Sequence, residues 1–176
     1  MKEFKHSSSL VTVFLFILCS PLVTLAQSDK AYDPDAKLDA LGIKLPAPTS
    51  PVANYVNGVR TGNLIFLSGK GPRKPEGSML RGKLGKEVTI KQGYAAARQT
   101  AINQLAVLKT MLGNLNRVKR VVKVLGMVNS EPSFVEQPAV INGFSDLMVE
   151  VFGERGKHAR AAVGDGSLPG GIAEEI

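Results

Sequence analysis

The run TIKQGYAAARQTAINQLAVLKTMLG (residues 89–113), joined through Asn114 to Arg117 to VKRVVKVLGMV (118–128), changes hydrophobic period within forty residues. In the first part Tyr94, Ala97, Ala101, Leu105, Leu108 and Leu112 recur at spacings of three and four, one apolar stripe on a helix. Thr89 with Gln92 three residues on forms a capping box, and Gly113 supplies the stop. The second part is a valine-rich strand, Val118, Val122, Val124 and Val128, with a solvated entrance at Lys119, Arg120 and Lys123. A second helical stripe follows, Phe134, Ile141, Phe144, Leu147, Val151 and Phe152, closed by Gly153, with Pro138 tolerated only near its first turn. Short strands over 158–163 and from Ile172 bracket the loop Gly164–Gly171. This order predicts an α+β chain with one mixed sheet and both long helices on one face. The bare face needs cover, and a symmetric oligomer is the economical way to supply it.

Toward the N-terminus, Thr61-Gly62-Asn63 is turn chemistry between a strand expected over 53–59 and a largely buried strand over Leu64–Ser68. Residues 70–86 mix lysines and arginines with glycines and prolines, either a solvated loop or a ragged strand. Pro46, Pro48 and Pro51 keep the chain extended, and before them Asp35 is expected to cap a short helix stopped by Gly42. Residues 1–26 read as a secretory leader: Lys2 and Lys5, the apolar run Leu10–Leu18, and small residues before a cut after Ala26. Pro21 and the shortness of that run disfavour a membrane anchor. The expected organisation is a leader (1–26), an extension with a short helix (27–52) and one domain (53–176), in a periplasmic or secreted protein.

Composition excludes several classes of function. The single cysteine, Cys19, lies in the leader, so the remainder has no disulfide, thiol nucleophile or thiolate metal site. With 44% hydrophobic residues and about 150 positions after the leader, the chain can bury a core without staples. Its net charge of +7 favours anionic small molecules or surfaces without implying nucleic acid. His158 stands alone once His6 is removed, so a histidine pair is unavailable; no HExxH or GxSxG occurs, and the Gly164–Gly171 loop fails the GxGxxG spacing. Lys119, Arg120 and Lys123 lack the interleaved aromatics of an RNA surface and read better as a solvated face.

The unusual residue is Arg160, set in His158-Ala159-Arg160-Ala161-Ala162-Val163. On a strand, His158, Arg160 and Ala162 share one side, and a guanidinium between small residues can grip a carboxylate bidentately. A structural ion pair or a solvated edge arginine are the alternatives. Glu174 and Glu175 follow the Pro169-Gly170-Gly171 turn, so their strand can return beside the arginine strand, where a carboxylate could orient a water; terminal solvated charge is the plainer reading.

The element order, Leu64-Ile65-Phe66-Leu67-Ser68-Gly69, and the Arg160 segment with Leu168-Pro169 behind it together resemble the RidA (YjgF/YER057c/UK114) family over nearly all of the chain after the leader. Leu41-Gly42-Ile43, Pro51 to Tyr55, Asn114 to Val118 and Gln137-Pro138 through Phe152-Gly153 are similar to the branch named for YjgF/chorismate-mutase-like endoribonucleases. The resemblance implies a chorismate-mutase-like fold, a homotrimer with clefts between subunits, and no metal or organic cofactor. It further implies that Arg160 holds a substrate carboxylate and Glu175 positions the attacking water. Tyr55, Ser68, Gly69 and Asn142 match cleft positions that shape the pocket and bind substrate. The implied reaction is hydrolysis of 2-enamino or 2-imino acids to 2-oxo acids and ammonia. A noncatalytic binder of small carboxylates is the alternative, and an endoribonuclease is the less supported one. Lys70 stands where the family has glutamine and Ala162 where it often has cysteine. The closing strand stops just past Glu175, which predicts a frayed end there.

Overall fold

The computed structural model describes residues 32–176; the leader, on which the export reading rests, lies outside the described residues. Helix α1 (Pro34–Ala40) is capped by Asp33, whose Oδ1 accepts from Ala36 N–H at 3.0 Å. The cap therefore falls two residues before the expected Asp35, because Pro34 is already suited to the first helical position. Leu38 of α1 is buried in the common core.

Strands β1 (Gly58–Thr61) and β2 (Leu64–Leu67) pair antiparallel as a hairpin, with Thr61 opposite Leu64. Gly62 takes φ +54°, the positive value that a two-residue hairpin loop asks of its first residue. The first strand begins at Gly58 rather than residue 53; residues 52–54 bend, and Tyr55 and Val56 stand exposed. β2 is likewise not the buried strand expected, since Leu64 and Phe66 project into solvent, Phe66 being 61% exposed. The hairpin presents an open apolar face instead.

Helix α2 (Ile90–Leu112) has the expected capping box at Thr89 and Gln92 and ends at Gly113 in the left-handed conformation. Helix α3 (Gln137–Phe152) crosses over between β3 (Lys123–Asn129) and β4 (Ala159–Asp165), which run parallel with Val124 opposite Arg160. Strand β5 (Glu174–Glu175) lies antiparallel on the other edge of β3, giving the order β4-β3-β5. Reciprocal backbone bonds between Lys70 and Ile176, 2.9 and 3.0 Å, join the hairpin's continuation to that edge. Residues 70–86 contribute single bridges rather than a strand, yet Leu84 within them is fully buried.

Both helices lie over one face. A Cβ at Gly126 would stand 2.6 Å from Ile141, and one at Gly143 only 2.0 Å from the Tyr94 carbonyl, so α3 needs both glycines to approach β3 and α2. Val124 and Val128 are buried under the helices, while Leu125 and Val163, on the opposite face, remain 49% and 42% exposed. The alternation of β3 thus divides the sheet into a covered and an open apolar face.

Candidate functional site

Arg160 is half-buried on β4 and reaches toward α3, donating through Nη1 to Asn142 Oδ1 at 2.9 Å and to Ser145 Oγ at 3.0 Å. Asn142 and Ser145 are three apart on a helix and so share one face. Neither is charged, and no ion pair among the described residues includes Arg160. The guanidinium is left with several unused N–H donors. His158 extends the network: its Nδ1 lies 2.6 Å from the Gly156 carbonyl and its Nε2 3.1 Å from Ser145 Oγ. A carbonyl only accepts, so Nδ1 carries a proton, and in the neutral ring Nε2 accepts from the serine hydroxyl. The oxygen of Ser145 then remains open to the arginine. Beside this cluster a shallow groove of about 430 Å³ is lined by Arg120, Val122, Lys157, His158 and Ala159, adding positive charge to the approach.

The remaining expected site residues gather elsewhere. Ser68 donates through Oγ to the Val56 carbonyl at 2.6 Å, which places it next to Tyr55, itself exposed. Gly69 lies against Glu175: a Cβ on that glycine would be 2.1 Å from Glu175 Oε1. Glu175 does not sit on a frayed end. Ile176 beyond it is buried, bonded both ways to the Lys70 backbone, and its oxygen accepts from Gln104 Nε2 of α2 at 2.7 Å, while the same amide donates to Ser68 O at 3.0 Å. Tertiary bonds from two distant segments fix what strand length alone would leave loose.

Six expected residues therefore form two groups, Arg160 with Asn142, and Tyr55, Ser68, Gly69 with Glu175. Glu175 is opposite Met127 and Arg160 opposite Val124, on alternate faces of β3. Three steps along the strand and two across place their Cα atoms about 14 Å apart. Within one chain the return strand lies beyond β3, not beside the arginine strand, so the two groups do not share a cleft.

Two participants, Ser145 and Gln104, were not singled out by sequence, and a third, Glu174, was named only with Glu175 as a carboxylate that could orient a water. Ser145 looks like any helix serine, and only its position three residues after Asn142 hints at its role. Gln104 reads as surface yet is 4% exposed. Glu174 faces the helices, fully buried, with Thr100 Oγ1 donating to its Oε1 at 2.6 Å. Burial pushes its carboxyl up to about 8, against the Thr100 bond, which lowers it, with the neighbouring Glu175 charge adding to the rise. Glu174 Oε2 and Gln104 Oε1 have no hydrogen-bond partner among the described residues. A proton on Oε2 removes the charge that burial disfavours. Among the described residues no cluster of three or more His, Cys, Asp or Glu is placed to hold a metal, and no helix is long and apolar enough to cross a membrane.

Comparison with known proteins adds three findings. A family model described as "YjgF/chorismate mutase-like, putative endoribonuclease" matches residues 35–171. Protein TCP17 of Trypanosoma cruzi is 49% identical over 142 residues, which cover 80% of this chain and 89% of that protein. Among solved structures, a Shewanella oneidensis protein described as a "putative endoribonuclease" superposes with TM-score 0.79 at 32% identity, over 81% of this chain and 95% of its own. RidA from a Psychrobacter species does so with TM-score 0.52 at 30% identity, over 75% and 90%.

Proposed function

The chain belongs to the YjgF/chorismate-mutase-like family, and from that premise we propose that it binds a small carboxylate in a cleft between copies of itself and hydrolyses 2-enamino or 2-imino acids there. The observation that carries the reading is the Arg160 guanidinium, held by two neutral oxygens and matched to no carboxylate. A substrate carboxylate supplies the missing anion in a bidentate, charge-assisted pair. The open apolar faces of the β4-β3-β5 sheet, at Leu125 and Val163, and of the hairpin, at Phe66, support association of copies, here as a trimer. In that assembly the Arg160 group of one copy meets the Glu175 group of the next, which removes the 14 Å separation of about the sheet's width.

The chemistry asks little of the protein. The imine carbon is electrophilic already, so water adds to C2, the C–N bond breaks, and ammonia leaves a 2-oxo acid behind. Arg160 and Asn142 place the substrate, Glu175 orients the water through an oxygen lying over Gly69, and Tyr55 and Ser68 border the pocket. Ammonia release from freshly generated 2-iminopropanoate tests this: a rate above buffer that Arg160→Ala abolishes is expected, and buffer-level release by an intact oligomer overturns the enzyme.

A second reading is a noncatalytic carboxylate binder. It is favoured by the Arg160, Asn142 and Ser145 group being complete within one protomer, whereas Glu175 needs a partner copy. Retained binding of a 2-oxo acid without ammonia release selects it. We also infer export from the leader at 1–26, which N-terminal sequencing of the native protein tests: the expected first residue is Gln27, and an N-terminus at Met1 or Lys2 overturns it.

A further inference from the structure

The Pro-rich strap at residues 46–49 and the turn at 70–75 enclose a cavity of about 140 Å³ over α2, on the helix side of the sheet; it is lined by no residue of the Arg160 group and borders the Glu175 group only through Lys70, which follows Gly69 in the chain. Its walls are of two kinds. Pro46, Pro48, Met79 and Val107 are apolar, whereas Lys70, Arg73 and Lys74 bring three positive charges, and no acidic residue lines the space. None of the three cations takes part in an ion pair among the described residues. Glu76, nearby, accepts from the Ser78 hydroxyl and feels the Lys74 charge, but forms no ion pair with it.

The cavity is held open by bonds to neutral groups, including one from Arg73 Nη1 to the Gly77 carbonyl at 3.2 Å, that leave its charges without an acidic partner. Asn103 of α2 donates through Nδ2 to the carbonyls of Gly71 and Arg73, both at 3.0 Å, fixing the turn above the helix. Asn57 spans strap and turn, donating through Nδ2 to Thr49 O at 2.9 Å and accepting Lys70 Nζ through Oδ1 at 2.5 Å. That neutral amide is the one acceptor the Lys70 ammonium has among the described residues, and burial without an acid partner there pulls it below its ordinary value. An anion in the cavity would compensate that loss of solvation. Prolines at 46 and 48 offer no N–H, so recognition rests on the cations and the apolar walls.

We infer that this cavity is a binding site for a small amphipathic oxyanion, a carboxylate or phosphate head carried on a short apolar body. The head lies against Lys70, Arg73 and Lys74, and the body against Pro46, Pro48 and Met79. The volume excludes a nucleotide and suits a chain of a few carbons. Because the site lies apart from Arg160, it stands whether or not the hydrolytic reading does.

Calorimetric titration of the full-length protein with hexanoate, hexyl phosphate and hexanol tests it. Saturable binding of at least one of the two anions is expected, with hexanol at least about tenfold weaker, and the tighter anion identifies the head group. Arg73→Ala/Lys74→Ala, at exposed positions that bear no core contact, should weaken the anion about tenfold, while Arg160→Ala should leave it unchanged. Absence of saturable binding for both anions, binding indifferent to the double substitution, or binding lost with Arg160 overturns the site.

Discussion

The two halves of the candidate site are built in opposite ways. The Arg160 half rests on regular structure: a seven-residue parallel ladder between β3 and β4, and one face of α3. Each of its side chains is placed by an element that would exist without it. The Glu175 half has almost no regular structure of its own. Its strand is two residues long, and Val56, Ser68 with Gly69, and Gln104 reach it or its neighbour Ile176 from three segments distant in sequence. The first half is tolerant because its geometry is over-determined; the second depends on a few named bonds and on a glycine with no room for a methyl. The contrast extends to charge, since the first keeps an unpaired cation near solvent while the second rests on a carboxyl, Glu174, kept neutral by burial.

The sharpest test removes the cation. Arg160→Ala should weaken 2-oxo acid binding about hundredfold or more, with the oligomer and its thermal unfolding unchanged by light scattering and calorimetry. Loss of the fold instead would mean that the arginine half is not independent of its site.

Glu174→Gln addresses the other half through pH. The folded carboxyl holds its proton up to about 8, while the unfolded chain releases it near the ordinary 4.5, so the native state binds the extra proton and stability falls as pH rises between those values. The glutamine variant should therefore gain on the order of 4 kcal/mol over the parent at pH 8 and nothing at pH 4, measured by denaturant midpoints. Equal pH profiles would show that the buried carboxyl is not neutral in the fold.

Gly69→Ala puts a methyl where Glu175 Oε1 lies. The obstacle is the end of a flexible side chain, so the fold should persist while kcat for imine hydrolysis drops about tenfold and oxo-acid affinity holds. A fall in affinity alone would assign Glu175 to binding. The smallest effect is expected from Ser145→Ala, about threefold in KM, because Arg160 keeps Asn142 and loses one neutral acceptor.

Legibility in the sequence followed the range of the interactions. The capping box at Thr89 and Gln92, the Gly113 stop and the Gly62 turn are contacts within four residues, and each stands where the residues put it. The reading failed where a neighbour far along the chain decides. Val52, Tyr55 and Val56 look like strand, but pairing with β2 starts only at Gly58. Leu64 and Phe66 look like core, but the described chain leaves their face uncovered. Adjacent Glu174 and Glu175 look alike, yet period two turns one under α2 and the other onto the opposite face.

By itself, then, the sequence determined the two amphipathic helices, the hairpin, the family and the identity of the charged residues, because periodicity, capping and turn chemistry are local and are written in neighbouring side chains. Only the tertiary structure decided that Arg160 and Glu175 face opposite sides of one sheet, that Glu174 is the buried member of its pair, and that the chain's last residues are tied down. Those outcomes depend on strand order and on bonds between residues 70 or more positions apart, such as Thr100 with Glu174, and no local pattern encodes which segments will meet.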